Sequence, residues 1–140
     1  MTDCIFCKIV AGEIPATRVF ENEHALAFLD INPTNPGHTL VVPKAHAENI
    51  DDIPDETICA LAPVVKKVAG AVKKAVKADG INLIQNNGRA AGQIVPHFHI
   101  HVVPRFDGDG FRHWKGVPYK TGEAEQVAEK IKAVLGKDQK

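Results

Sequence analysis

Three histidines recur at every second position in the stretch HFHIHVV, with apolar residues between them. Side chains of a β-strand alternate between its two faces, so this period predicts a strand with His97, His99 and His101 on one face. Four apolar residues are predicted to lie on or near the opposite face, namely Phe98, Ile100, Val102 and Val103. Neutral imidazole offers a nucleophilic nitrogen near physiological pH and also binds metal ions, so the spacing alone is consistent with either chemistry. Because neighbouring imidazoles repel each other when protonated, function explains the row better than folding does.

The loop before these histidines has the composition of a phosphate-binding loop. Gly88 and Gly92 allow backbone N–H groups to approach a phosphate closely. Asn86 and Gln93 add side-chain donors without adding charge. Asn87 is equally consistent with simple turn formation beside Gly88.

A second candidate for chemistry is the C-x-x-C pair of Cys4 and Cys7, which has the spacing of half a structural zinc site. The alternative is a pair of reduced, buried thiols. A thioredoxin-like redox role is disfavoured because no βαβ pattern follows the pair. Three cysteines are too few for a disulfide framework, and Cys59, in an apolar helical pattern, is predicted to be a small core residue.

Charge and hydropathy exclude some partners. The chain of 140 residues carries 17 basic and 17 acidic residues, so its formal charge is zero and a nucleic-acid partner is not expected. The amino terminus has no basic region followed by a long apolar run, and no segment approaches the roughly 20 apolar residues that cross a bilayer. We therefore expect a soluble, cytoplasmic protein with no membrane contact.

Periodicity predicts five strands and three helices. CIFCKIVAGEIP is typical of a short helix stopped by Gly12 and Pro15. TRVFE and HALAFLD form a predicted β-hairpin, HTLVVPK and INLIQNN are the third and fourth strands, and the histidine stretch is the fifth. EAEQVAEKIKAVL is a predicted C-terminal helix.

One long amphipathic helix is predicted between the third and fourth strands, with lysines opposite its apolar side. Asp55 or Thr57 is the expected cap, Gly80 is the expected end, and Pro63 predicts a kink or an irregular first turn. The predicted buried side consists of Ile58, Leu61, Val65, Val68, Val72 and Val76.

These elements predict an α+β fold with a mainly antiparallel five-stranded sheet, one long amphipathic helix, and short N- and C-terminal helices. The length favours one domain over residues 1–140, with its core at about 3–105 and a C-terminal loop and helix at 106–140.

Several segments together resemble a known family. HFHIHVV is similar to the His-φ-His-φ-His-φ-φ motif of the histidine triad (HIT) superfamily of nucleotide-binding proteins, where φ is an apolar residue. IFCKIVAGEIPA, ALAFLDINPTNPGHTLVVPKAH and NNGRAAGQ resemble matching segments of its small nucleotide-binding branch. The resemblance covers roughly residues 3 to 105.

The resemblance implies a reaction. His99 would be the nucleophile that attacks the α-phosphorus of a purine nucleotide derivative, and water would resolve the nucleotidyl-histidine to AMP or GMP. His101 and Gln93 would support catalysis. Asn86, Gly92 and Gln93 would contact the phosphate.

The resemblance also implies where the nucleoside binds. Asp30 would hold both ribose hydroxyls, because an ionised carboxylate accepts two donors at once. On residues alone, Asp30 is equally consistent with a turn. The base would lie in an apolar slot formed by Ile5, Phe6, Ile9, Phe28 and Ile31.

Further implications concern zinc, assembly and the leaving group. Bacterial relatives complete a structural zinc site at positions that correspond here to Cys4, Cys7, His46 and His97. Family members are usually homodimers that join two sheets, and the loop with Arg112, His113 and Trp114 is expected to reach the partner's active site or to cover its own. Position 94 departs from the phosphoramidase pattern, because Ile94 replaces a serine or threonine and cannot donate a proton.

Several functions stay open at this point. The preferred hypothesis is a phosphoramidase-like nucleotide hydrolase, and the second is a dinucleoside polyphosphate hydrolase. A non-enzymatic nucleotide-binding signalling or interaction module is a third. A metal carrier that uses all three triad histidines ranks last, because it leaves the phosphate-loop features without a role.

Overall fold

A five-stranded antiparallel sheet organises the protein, as the alternating strands predict. The computed structural model describes residues 3–138, so the ends of the predicted 1–140 domain lie outside the described residues. The strands are β1 (Arg18–Glu21), β2 (Ala25–Leu29), β3 (Thr39–Pro43), β4 (Gly80–Ile84) and β5 (Ile100–Arg105). Their order in the sheet is β1-β2-β3-β5-β4. The α+β class with a five-stranded antiparallel sheet is therefore confirmed.

The two faces of the sheet bury different clusters. On one face the long helix α2 (Asp55–Ala75) packs against alternate strand residues, including Val41, Phe98 and Val102. On the other face the short helix α1 (Ile5–Val10) contributes Phe6 to a cluster with Phe28. Strand alternation thus separates a structural core from the face that carries the histidines.

The histidine stretch is only partly a strand. β5 begins at Ile100, so His97 and His99 precede it, and only His101 lies within it. Phe98 and Val102 enter the core on the α2 face, as the period of two predicts. The backbone N–H of Phe98 donates to the carbonyl of Ala47 at 2.7 Å, a contact outside any strand pair.

The long helix differs from its prediction at both ends. Pro54 is its N-cap and no side chain caps it, whereas Asp55 lies in the first turn, where a carboxylate interacts favourably with the helix dipole. It ends at Ala75 and not at Gly80, which is the first residue of β4. Lys77 (φ 55°) adopts the left-handed conformation that the prediction gave to a glycine. The helix is continuous through Pro63.

The prediction that Cys59 is a core residue is wrong, because its side chain is exposed. Helical phase explains the error: Leu61, Val65 and Val68 are buried on one side of α2, and Cys59 points away from that side.

The described residues form two compact units, which meet in sequence at Asp109 and Gly110. The second unit contains an irregular segment and α3 (Glu123–Asp138), which is longer than the short helix predicted. Its large apolar residues are exposed and include Trp114, Val117, Ile131 and Val134. Among residues 3–138, no helix combines the length and apolar character needed to cross a membrane.

Candidate active site

A cleft of about 520 Å³ opens on the α1 face of the sheet. It is bounded by α1, the end of β2, the histidine motif and the loop that precedes this motif. All the predicted nucleotide-binding residues except Gln93 line it, namely Ile5, Phe6, Ile9, Phe28, Asp30, Ile31, Asn86, Gly92, His99 and His101. Asp30 is the only formally charged residue among those described that line the cleft.

The predicted apolar slot is part core and part surface. Phe6, Ile9 and Phe28 are buried and form its floor, with the Phe6 and Phe28 rings in an edge-to-face contact. Ile5 and Ile31 stand at the rim, and Ile31 is 91% exposed. The rim therefore offers apolar surface that a flat aromatic ligand would cover.

His99 is oriented by its own backbone neighbour. Its Nδ1 lies 2.7 Å from the carbonyl oxygen of His97, and a carbonyl only accepts, so Nδ1 carries the proton. The unprotonated nitrogen is therefore Nε2. Burial lowers the pKa of His99 below its ordinary value, although the carbonyl of His97 and the Asp30 carboxylate act in the opposite direction. His99 is a neutral imidazole with a lone pair on Nε2 near neutral pH.

A chain of hydrogen bonds fixes the tautomer of His101. The backbone N–H of Thr34 donates to His38 Nδ1 at 3.1 Å, so His38 must carry its proton on Nε2. That nitrogen lies 2.9 Å from His101 Nδ1 and donates to it. His101 consequently holds its own proton on Nε2 and is a hydrogen-bond donor in the cleft. Burial, with nearby His99 and His38, lowers the pKa of His101 to about 4.

His38 is a site residue that the sequence analysis does not identify. It is 6% exposed, and burial lowers its pKa although Asp30 raises it. The strand register explains why His38 belongs to the site. Leu40 of β3 lies opposite His101 of β5, so His38, two residues before Leu40, lies alongside β5.

Asp30, His38 and His101 also form a cluster with metal-ligand chemistry. A neutral imidazole that binds a metal through Nε2 keeps its proton on Nδ1 and donates it to a neighbour. His38 Nδ1 instead accepts from the Thr34 N–H. The donor set therefore does not fit a metal ion, and the cluster is a hydrogen-bonded network.

Asp30 closes the loop between β2 and β3. Its backbone N–H donates to the carbonyl of His38 at 2.9 Å, and its Oδ1 accepts from the backbone N–H of Asn32 at 2.8 Å. Its Oδ2 lies 3.6 Å from His38 Nε2. The residue thus makes the turn that its type suggested and presents a carboxylate to the cleft as well.

Gln93 makes its side-chain hydrogen bonds within the loop and to a neighbouring segment. Its Oε1 accepts from the Gly88 N–H at 2.8 Å, and its Nε2 donates to the carbonyls of Glu48 and Val95 at 2.7 and 3.1 Å. All its polar atoms are thus engaged in closing the glycine loop. Gly92 adopts a left-handed conformation (φ 91°) beside Asn86.

Asn87 and Ile94 complete the loop. Asn87 Oδ1 accepts from the Ile50 N–H at 2.7 Å, so this side chain is structural. Ile94 lines the cleft and is 91% exposed. An apolar side chain thus borders the cleft at the position where the phosphoramidase pattern has a serine or threonine.

The four predicted metal ligands meet at one point. Cys4 Sγ lies 3.4 Å from His97 Nδ1, and Cys7 Sγ lies 3.3 Å from His46 Nδ1. The two imidazole nitrogens are 3.1 Å apart, and all four donor atoms lie within 4.8 Å of one another. Tetrahedral zinc with bonds of about 2.0–2.3 Å separates its ligands by about 3.3–3.8 Å, so the arrangement fits this ion.

Outer contacts support the same conclusion. His97 Nε2 donates to the carbonyl of Pro43 at 2.8 Å, which leaves the lone pair on Nδ1 facing the sulfurs. Burial lowers the pKa of His97, which favours the neutral ligand form. Burial and the neighbouring Cys4 raise the pKa of the Cys7 thiol, so binding a metal ion must release a proton from it.

The sequence also matches a known protein-family model. The HIT domain model matches residues 11–108 of the chain. The chain belongs to the HIT family. An uncharacterised HIT-like protein of Methanocaldococcus jannaschii is 58% identical over 107 residues, which are 76% of this chain and 82% of that protein.

Two further HIT relatives bear on chemistry. An adenosine 5'-monophosphoramidase of Schizosaccharomyces pombe is 42% identical over 135 residues and covers 94% of this chain and 98% of its own. The crystal structure of a zinc-bound histidine triad protein of Mycobacterium smegmatis matches with a TM-score of 0.76 and 39% identity, over 94% of this chain and 98% of that one. One relative is thus named as a hydrolase, and another is described as zinc-bound.

Proposed function

We propose that this protein is a purine nucleotide hydrolase or transferase that attacks the α-phosphorus of nucleotide derivatives, as a nucleoside phosphoramidase does. The observation that carries the proposal is His99, whose Nδ1 is tied to a carbonyl while its Nε2 is unprotonated beside a cleft that contains Asp30. The enzyme activity of the fission yeast relative supports this reaction class.

The reaction proceeds in two displacements at phosphorus. His99 Nε2 forms a bond to the α-phosphorus as the bond to the leaving amine breaks, and the amine takes a proton from the solvent, which gives a nucleotidyl-histidine. A water molecule then attacks the same phosphorus and releases a proton to the solvent, the N–P bond breaks, and AMP or GMP leaves with His99 restored. His101 Nε2–H, Asn86 and the loop amides around Gly92 stabilise the charged phosphoryl oxygens.

The nucleoside end of the cleft supplies binding. Asp30 accepts both ribose hydroxyls, and the slot of Ile5, Phe6, Ile9, Phe28 and Ile31 takes the base. Gln93 shapes the loop through its three hydrogen bonds, so its support of catalysis is indirect.

The charge of the cleft favours phosphoramidates over dinucleoside polyphosphates. No Lys or Arg occurs among the described residues that line it, and the carboxylate of Asp30 adds negative charge. A substrate with one charge at the reacting phosphorus meets less repulsion than a polyphosphate does. Comparing turnover of an adenylylated amine with that of diadenosine tetraphosphate separates the two substrate classes.

Trapping the intermediate tests the proposal directly. Mass spectrometry of enzyme quenched within milliseconds of mixing with an adenosine phosphoramidate should find an adenylyl group on the peptide that contains His99. AMP binding without any adduct or turnover would favour the non-enzymatic nucleotide-binding module instead.

Zinc is the metal that we assign to Cys4, Cys7, His46 and His97, with a structural role. When bound, zinc supplies a crosslink between the start of α1 and the histidine motif. Phe6 of α1 touches the rings of both His97 and His99, so the position of α1 also bears on the nucleophile.

Assembly, location and domain organisation remain predictions. The proposed homodimer would join two sheets at β4, an edge strand with the exposed Leu83, next to an apolar groove that includes Ile58 and Ile100. A cytoplasmic location and a single HIT-like domain over 1–140 are also proposed. Whether the loop with Arg112, His113 and Trp114 reaches a partner's cleft is part of the same proposal.

A further inference from the structure

The loop between β2 and β3, residues 30–38, is fastened to β5 at two points. At the C-terminal end of the loop, His38 donates to His101, inside the site already described. In the middle of the loop, Asn35 donates through Nδ2 to the carbonyl of Pro104 at 2.8 Å and to Asp109 Oδ2 at 2.9 Å. The second attachment lies outside the cleft and has no role in the chemistry proposed above.

Asn35 stands out from the rest of its loop. Residues 31–34 and Pro36 are exposed, whereas Asn35 is half-buried and both hydrogens of its amide have acceptors. Pro104 is fully buried, and because it follows His101 on β5, its carbonyl is a fixed reference point on the histidine strand. The Asn35 side chain thus connects the middle of an exposed loop to β5, the strand that contains His101.

Asp109 is held in turn by a dense set of donors. Its carboxylate accepts from Arg105 Nε at 2.9 Å and Nη2 at 2.7 Å, and from the backbone N–H of Phe106 at 2.9 Å. The side chain of Asp109 is 10% exposed. Charge-assisted bonds to a buried carboxylate are stronger than neutral ones, so Asn35 donates to a rigid acceptor.

We propose that Asn35 and Asp109 are positioning residues for ribose recognition, because they set the distance between the Asp30 carboxylate and the histidine motif that leads into β5. The inference rests on the proposed function, in which Asp30 holds the ribose hydroxyls. Asp30, Ile31 and Asn32 all belong to this loop and line the cleft. Neither Asn35 nor Asp109 lines the cleft, so they act on binding more than on chemistry.

The test uses the full chain with adenosine 5'-phosphoramidate and its 2'-deoxy analogue. For N35A we expect KM for the ribonucleotide to rise about 10-fold with kcat within about threefold, because the removed hydrogen bonds weaken binding of the substrate and of the transition state equally. The preference for the ribonucleotide over the deoxy analogue should fall by a similar factor. D109N replaces the charged acceptor for Asn35 with a weaker, neutral amide oxygen and should shift the same ratio in the same direction, by a smaller factor.

N22A is the matched control. Asn22 also holds a loop, through Oδ1 bonds to the N–H groups of His24 and Ala25 at 2.9 Å each, but in the turn between β1 and β2. Its loss should lower the melting temperature without changing the ratio of ribonucleotide to deoxynucleotide. The double variant N35A/D109N should shift the ratio no more than N35A alone, because both changes break one path.

The outcomes separate this inference from the proposed function. If wild type hydrolyses the phosphoramidate and the ratio is unchanged in folded N35A and D109N, the positioning role is overturned and the proposed function stands. If wild type only binds AMP, the ratio of AMP to 2'-deoxy-AMP affinity, measured by calorimetry, gives the same readout. If wild type neither hydrolyses these substrates nor binds AMP, both proposals fall.

Discussion

The chemistry of His99 is decided by two contacts that involve single atoms. His99 Nδ1–H donates a hydrogen bond to the carbonyl of His97, and burial lowers the pKa of the ring, so Nε2 is unprotonated without a general base. His101 receives the opposite assignment, with its proton on Nε2, because His38 donates to its Nδ1. The ring centroids of His99 and His101 are 4.9 Å apart. The two rings therefore place a nucleophile and a hydrogen-bond donor side by side.

Replacing the nucleophile should separate catalysis from binding. We expect H99A to reduce kcat/KM for adenosine phosphoramidate by about 10⁴-fold or more, since no other nucleophile takes its place. Affinity for AMP should stay within about tenfold of wild type, because Asp30 and the slot are unchanged. The control is H24A, since His24 is an exposed side chain in the β1–β2 turn. Steady turnover by H99A at the wild-type rate would contradict the mechanism.

The lowered pKa of His101 predicts how stability depends on pH. In the folded protein this pKa is about 4, below the ordinary 6.5, so the unfolded chain binds more protons between these values. The contribution of His101 is therefore fully present above about pH 6.5 and is lost as the pH falls towards 4. As the pH falls over this range, the free energy of unfolding should decrease in both proteins, and the decrease should be about 1–2 kcal/mol smaller for H101N than for wild type. Denaturant titrations at several pH values measure this difference. Parallel pH profiles for the two proteins would contradict the assignment.

At the scale of elements, the loop before β3 depends on a glycine. Gly37 has φ 102°, and a Cβ there would stand 3.0 Å from Val76 Cγ1 at the end of α2. The loop that carries Asp30 therefore lies close against the helix on the opposite side of the sheet from the cleft. Backbone conformation and packing both require glycine at this position.

G37A should destabilise the fold, whereas G70A should not. We expect G37A to cost about 1–3 kcal/mol in the free energy of unfolding, because it combines strain at positive φ with a close contact. Gly70 lies in α2 with open space around it, and G70A should stabilise by up to about 1 kcal/mol through helix propensity. Urea titrations of both variants measure the difference. If G37A were as stable as wild type, the loop would accommodate a side chain at position 37 without cost, which would contradict the prediction.

The metal cluster joins α1 to the histidine motif across 90 residues of sequence or more, so its loss should affect the whole fold. We expect purified wild-type protein to contain about one zinc ion per chain, and C7S to lose it and to melt at least about 10 °C lower. C59S is the matched control, because Cys59 is exposed and outside the cluster. Elemental analysis and thermal unfolding check both points. A metal-free wild type, purified without chelators, would contradict the assignment.

For the whole molecule, the sheet has two edges of different character. β4 at one edge carries the exposed Leu83 next to the groove with Ile58 and Ile100, whereas β1 at the other edge carries the exposed Val19. An exposed strand edge beside apolar surface is suited to pairing with a second copy. The proposed dimer therefore uses β4.

Charge at one edge should break that dimer. We expect L83E to convert the protein from dimer to monomer in light scattering at micromolar concentration, because an unpaired carboxylate would be buried at the interface. V19E changes the opposite edge and should remain dimeric. A monomeric wild type, or monomers from V19E alone, would contradict the placement of the interface.

Much of this protein was predictable from local spacing. Alternation identified the strands and the apolar faces, and steps of three and four identified α2, because both periods follow from backbone geometry within a few residues. The C-x-x-C pair and the histidine row are equally local. One feature set by a distant partner escaped, the hydrogen bond from Gln93 Nε2 to the carbonyl of Glu48. Two errors were local, because the helical phase turns Cys59 towards solvent and Lys77 adopts the conformation that was expected of a glycine.

The sequence by itself determined the kinds of donor and their order, since residue type and spacing are written along the chain. Only the tertiary structure decided which nitrogen of each imidazole holds its proton. For His101 the choice is made by Thr34 and His38, and for His97 by the carbonyl of Pro43, all from other parts of the chain. For His99 it is made by the carbonyl of His97, which the folded backbone turns towards the ring. A proton on a ring follows its nearest hydrogen-bond partner, and proximity in space exists only after folding.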